Sequence, residues 1–114
     1  MAKYMLLLRG GRESLGEYTP EQFQVMIQPY VDWSRRLREE GRLVSADELA
    51  SGGRTLRAKG SGFVVDGPFT ETKEDIGGYF IINATDEADA IELAKGCPNF
   101  SHGGFVEVRE IVER

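Results

Sequence analysis

Only two stretches of this chain space their apolar residues with the period of a helix, and the remaining apolar runs are short enough to be strands. The first stretch opens on the strongest local signal in the sequence. Thr19 is placed to cap a helix, Pro20 takes its first position, and Gln22 stands three residues after the cap, the spacing of a capping box. Tyr18 and Phe23 flank that cap as a hydrophobic staple. Phe23, Met26, Ile27, Tyr30, Ser34 and Leu37 then share one face, while Glu21, Gln24, Gln28, Asp32, Arg35 and Glu39 stay wet. Gly41 is a natural residue to end it. Pro29 removes one backbone bond inside it, so a kink is expected there. The second helix is capped by Thr85 or Asp86, turns Ala90, Ile91, Leu93 and Ala94 inward, and stops at Gly96 and Pro98.

Strands fill the rest. Residues 3–9 and 79–83 are too apolar to lie at an exposed edge, and a second strand starts at Leu43 and Val44 and runs toward Leu49. Residues 54–58 and 62–66 read as the arms of a hairpin across Gly60 and Ser61. From Val106 to Arg109 the pattern alternates with period two. The order is β-α-β-(β-hairpin)-β-α-β. Two helices cannot cover both faces of such a sheet. They are expected on one face of an antiparallel, ferredoxin-like α+β fold, one domain spanning residues 1–114. The bare face needs a cover, and in 114 residues the simplest is the same face of a second copy across a two-fold axis.

Charge and cysteine usage narrow the partners. With 14 basic and 19 acidic residues the chain carries a net charge of −5, and Arg35, Arg36 and Arg38 are followed at once by Glu39 and Glu40. Nucleic acid, which needs clustered Lys and Arg, is therefore not an expected partner. A single cysteine, Cys97, forms no internal disulfide and suits a reducing compartment. No run approaches the ~20 apolar residues of a membrane span, and the apolar run at residues 4–8 is shorter than a signal segment needs, so a cytoplasmic, membrane-free protein is expected.

The chemistry concentrates after the hairpin, in Asp66-Gly67-Pro68-Phe69-Thr70-Glu71-Thr72-Lys73-Glu74 and the Gly77-Gly78-Tyr79 that follows. Asp66 ends a strand at a sharp turn, where a carboxylate can act as a general base or orient an imidazole. The one histidine, His102, lies in a loop between Pro98 and Gly103-Gly104, and an Asp66–His102 pair would fix its tautomer. Each has an ordinary reading too: Asp before Gly is a turn residue, and a Gly-flanked His is often simply solvated. Glu71 and Lys73 form either a charged rim over a polar ligand or local ion pairs. Tyr30, Trp33 and Phe69 are candidate walls for a planar ligand, with core or dimer contact the alternative for Trp33. A single His with scattered carboxylates lacks the spacing of a metal site, and no glycine-rich phosphate loop is present, so neither metal nor cofactor is called for. Cys97 sits at a helix C-terminus, where the dipole opposes thiolate, and is not a nucleophile.

The ordered set of the helix end at residues 33–41, Asp66-Gly67-Pro68-Phe69-x-Glu71-x-Lys73-Glu74, Gly77-Gly78-Tyr79 and Gly104-Phe105-Val106-Glu107-Val108-Arg109 resembles the DGPF group of the YCII-related proteins over nearly the whole chain. The resemblance implies a dimeric α+β barrel with an active site in the cleft between sheet and helices, and no established reaction. Some members of that group are encoded beside alternative sigma factors, which implies a sigma factor as a second class of partner. The wider YCII-related group has a His in the first helix and an Asp near the end of the second. Tyr30 and Cys97 stand at those places here, so that pair does not carry over. An acid/base pair must then come from Asp66, His102, Tyr30 or the acidic connector. Two functions fit: a small cofactor-independent acid/base enzyme acting on a small molecule in a dimer cleft, or a ligand-binding or regulatory module without turnover.

Overall fold

The capping box forms as spaced. The Gln22 N–H donates to Thr19 Oγ1 at 3.1 Å and the Thr19 N–H to Gln22 Oε1 at 2.9 Å, which closes the start of helix α1 (Pro20–Glu39). In this computed structural model, which describes residues 1–11, 18–67 and 75–114, α1 runs through Pro29 as one helix. Pro29 and Val25, whose carbonyl loses its partner, are both exposed, so water can satisfy that group. Gly41, at φ +73°, turns the chain out of α1, and the Arg42 N–H donates to the Leu37 carbonyl at 2.8 Å. Asp86 is the cap of helix α2 (Glu87–Ala94), accepting from the Asp89 N–H at 2.8 Å. Thr85 instead donates its N–H to Asp89 Oδ2 at 2.9 Å. That bond above all, and Arg42 at 2.7 Å next, hold the Asp89 carboxyl below the usual carboxylate range.

The strands are β1 (Ala2–Arg9), β2 (Leu43–Glu48), β3 (Thr55–Lys59), β4 (Gly62–Asp66), β5 (Ile76–Ala84) and β6 (Phe105–Glu110), with a short 3-10 helix at Pro98–His102 before β6. Four of them form an antiparallel sheet in the order β2-β5-β1-β6, while β3 and β4 form a separate two-stranded sheet. With the hairpin set aside, this is the ferredoxin-like order, and the fold is α+β as the element pattern required.

Register decides which side of the sheet is dry. Leu6 lies opposite Phe80, Tyr4 opposite Ile82, and Leu8 opposite Val106. These residues, with Trp33 and Leu37 from α1 and Ala90 and Ala94 from α2, make one continuous core. Both helices therefore cover the same face. The other face carries Met5 opposite Ile81 and Leu7 opposite Tyr79, each only partly buried, with the Arg9–Glu107 ion pair (2.8 Å) beside them. Among the described residues, no helix lies over it. One expected inward residue falls elsewhere, since Ile91 is 40% exposed, while Trp33 takes the core position, one of the two expected for it. α2 is only two turns long, and it meets the sheet through the small Ala90 and Ala94, leaving Ile91 on its rim.

Candidate functional site

The apolar stripe of α1 serves two purposes along its length. Near its C-terminal end, Trp33 and Leu37 are sunk in the core, and the Trp33 ring lies 4.6 Å from that of Phe80. Toward the N-terminal end, Phe23, Met26, Ile27 and Tyr30 stand above the ends of β1 and β5, where Gly10, Gly11, Gly77 and Gly78 present no side chains to meet them. A helix diverging from a glycine-floored sheet end leaves a hollow. This cleft holds about 610 Å³, within the range of small-molecule pockets. Gly78 is needed on structural grounds as well, because a Cβ there would come within 2.8 Å of the Asp47 carbonyl on β2.

Three polar side chains converge at the end nearest the 3-10 helix. Asn99, 7% exposed, donates from Nδ2 to the Arg9 and Phe105 carbonyls, both at 3.0 Å. That leaves its Oδ1 to accept from the Tyr30 hydroxyl at 3.3 Å. The amide thus ties the 3-10 helix to β1 and β6 and aims Tyr30. The Tyr30 ring lies nearly parallel to the His102 imidazole, centroids 6.1 Å apart and planes 15° apart. Burial above all, with Cys97 and Glu48 adding, pushes the Tyr30 phenol up to about 12, so it is a hydrogen-bond donor and never a base at neutral pH. Glu48, at the end of β2, lines the same cleft. Cys97 is buried and its thiol is raised to about 11, which keeps it inert.

Of the residues singled out in the sequence, His102 and Tyr30 line the cleft together. Trp33 does not line it; the ring points from the same stripe into the core, one turn nearer the closed end. Asp66 does not line it either. It ends β4 on the separate hairpin, with an oxygen 3.6 Å from Arg57 Nε, so the single chain does not bring Asp66 and His102 into one cavity. Phe69, Glu71 and Lys73 lie outside the described residues. Sequence reasoning missed Asn99 and Glu48. Asn99 carries no pattern of its own, because its three partners are distant in sequence or backbone atoms. Glu48 was legible in principle, since it follows Ala46 by two on a strand whose Ala46 faces Phe80. Among the described residues, no three His, Cys, Asp or Glu side chains gather as a metal site, and no helix is long and apolar enough to cross a membrane.

The sequence pattern of the YCII-related domain matches residues 2–114. The chain is similar to an uncharacterized protein of Rhizobium meliloti, 27% identical over 112 residues that make up 95% of this chain and 90% of that one. Among solved structures it is similar to 5-chloro-2-hydroxyhydroquinone dehydrochlorinase from Burkholderia phenoliruptrix in complex with 2,5-dihydroxybenzoquinone. That likeness has a TM-score of 0.47 and 17% identity, covering 98% of this chain and 95% of that chain.

Proposed function

Because the chain belongs to the YCII-related domain family, we propose that it is a small, cofactor-independent acid/base enzyme of that family's DGPF group, one domain over residues 1–114. It works in the cytoplasm as a homodimer on a small molecule held under α1. The observation that carries this reading is the convergence of His102, Tyr30 and Asn99 on one end of a largely apolar cleft. Imidazole is the side chain best suited to take and return a proton at neutral pH. In this reading His102 moves the proton. Tyr30, kept neutral by burial, turns its hydroxyl from Asn99 to a substrate oxygen and supports charge that develops there. Phe23, Met26 and Ile27 bind the apolar body of the substrate and exclude water. Asp66 takes part only where a second subunit completes the cavity; within one chain it shapes a turn.

Protein-observed NMR, titrating in a set of small planar aromatic fragments, tests the reading. Fragments are expected to shift the His102 and Tyr30 resonances, and turnover of any substrate found among their relatives is expected to vanish in His102→Asn while binding persists. Full turnover in His102→Asn would remove the residue from the mechanism. Binding with no turnover in the wild type would favour the alternative, a ligand-binding module that works with an alternative sigma factor. That partner rests on the DGPF resemblance alone, and a pull-down with an alternative sigma factor checks it.

A further inference from the structure

The β3–β4 hairpin pairs from Thr55 opposite Asp66 to Lys59 opposite Gly62. Directly opposed residues share a face, so Leu56, Ala58, Phe63 and Val65 form one side. Thr55, Arg57, Lys59, Val64 and Asp66 form the other, where the Arg57–Asp66 ion pair lies. The apolar side is open to water: Leu56 is 62% exposed, Phe63 69% and Val65 55%. The hairpin is hydrogen-bonded to no strand of the main sheet. A two-stranded hairpin is marginal by itself in water, and one with an all-apolar open face needs a surface to lie on.

The dimensions of the chain say which surface. Its radius of gyration is 16.0 Å, against about 13 Å for a self-contained domain of this length. It measures 48 × 44 × 19 Å, a thin slab. It exposes 7858 Å², where a monomer of its mass exposes roughly 6,200 Å². The excess is on the order of twice the ~800 Å² that each partner buries in a standard interface. The same chain also carries a second uncovered surface, the sheet face centred on Met5, Leu7, Tyr79 and Ile81. A peptide or an unrelated protein would cover the hairpin and leave that face bare. A second copy of the chain can cover both, because an isologous contact pairs a patch on one subunit with its counterpart on the other and each contact is made twice.

We propose that the β3–β4 hairpin is an arm that crosses the two-fold axis and packs its Leu56, Ala58, Phe63 and Val65 face onto a second copy of this chain. The inference rests on the homodimer of the functional reading and adds the surface that holds it. Two measurements on the full chain test it. Phe63 makes no core contact, so Phe63→Glu is expected to fold and to raise the dimer dissociation constant about tenfold or more in sedimentation equilibrium. An unchanged constant would overturn the arm. A nitroxide on Ser61→Cys, at the hairpin tip, reports contact directly, since the native Cys97 is buried. In a dimer co-refolded with unlabelled, nitrogen-15-enriched chain, amides of the enriched copy outside residues 55–66 should broaden. A sedimenting dimer with no such broadening defeats the arm and spares the dimer. A monomer at all concentrations defeats both.

Discussion

Asn99 is a small residue with three separate obligations, and its loss should be felt in stability before it is felt in chemistry. Removing the amide strands two backbone carbonyls and one phenol in a nearly dry place. Asn99→Ala is expected to lower stability by about 2–3 kcal/mol in chemical denaturation; a change within ~0.5 kcal/mol would show that water takes over all three bonds. Tyr30 gives a pH test. Burial raises its phenol from 10.0 to about 12 in the folded chain, so the folded form holds that proton more tightly than the unfolded form does. Its contribution is therefore complete below pH ~10 and is lost as pH climbs toward ~12. The stability difference between wild type and Tyr30→Phe should shift across that window and stay flat from neutrality to pH ~9. A difference that stays flat through pH ~12 would mean the phenol is not shielded. Asn99 is found only once β1, β6 and α1 have met around it, and Tyr30, which the sequence offered both as a wall and as an acid/base candidate, is shown as a hydrogen-bond donor only by its bond to Asn99.

At the scale of elements, the local signals were sufficient wherever the physics is local. The Thr19 capping box, the Gly41 exit and the Asp86 cap all depend on neighbours within a turn, and all formed as spaced. The division of the α1 stripe was not legible. Helical periodicity says that Tyr30, Trp33 and Leu37 share a side, but how far each end stands from the sheet depends on what the sheet presents below it. Glycines under one end and Phe80 under the other open the first and close the second. Two glycine substitutions separate these effects. Gly78→Ala forces a Cβ to within 2.8 Å of a backbone carbonyl and should cost about 1–3 kcal/mol by prising β2 from β5. Gly62→Ala meets nothing within 4 Å and should be neutral within ~0.5 kcal/mol. Equal effects in parallel urea melts would contradict the close approach of β2 and β5.

The whole molecule is a slab with one dry face, one bare face and an arm. Its bare face was foreseen by counting helices, since two cannot cover a sheet twice. Leu7→Arg would place a charge opposite Tyr79 in the middle of that face, where Arg9 and Glu107 already sit nearby. It is expected to leave the monomer folded by circular dichroism and to weaken self-association about tenfold or more in sedimentation equilibrium. An unaltered dimer would place the interface elsewhere, on the arm alone.

The sequence by itself determined the main elements, their order and the α+β class, because periodicity, caps and glycine turns act over a few residues. It also placed the chain in its family through an ordered set of motifs spread along it. Only the tertiary structure decided that His102 stacks beside Tyr30, that Asn99 holds the Tyr30 hydroxyl, that Trp33 is core, and that Asp66 ends a hairpin strand and does not line the cleft. Those outcomes depend on distances between segments tens of residues apart. Such distances follow from how a helix settles on a sheet, which no local pattern encodes.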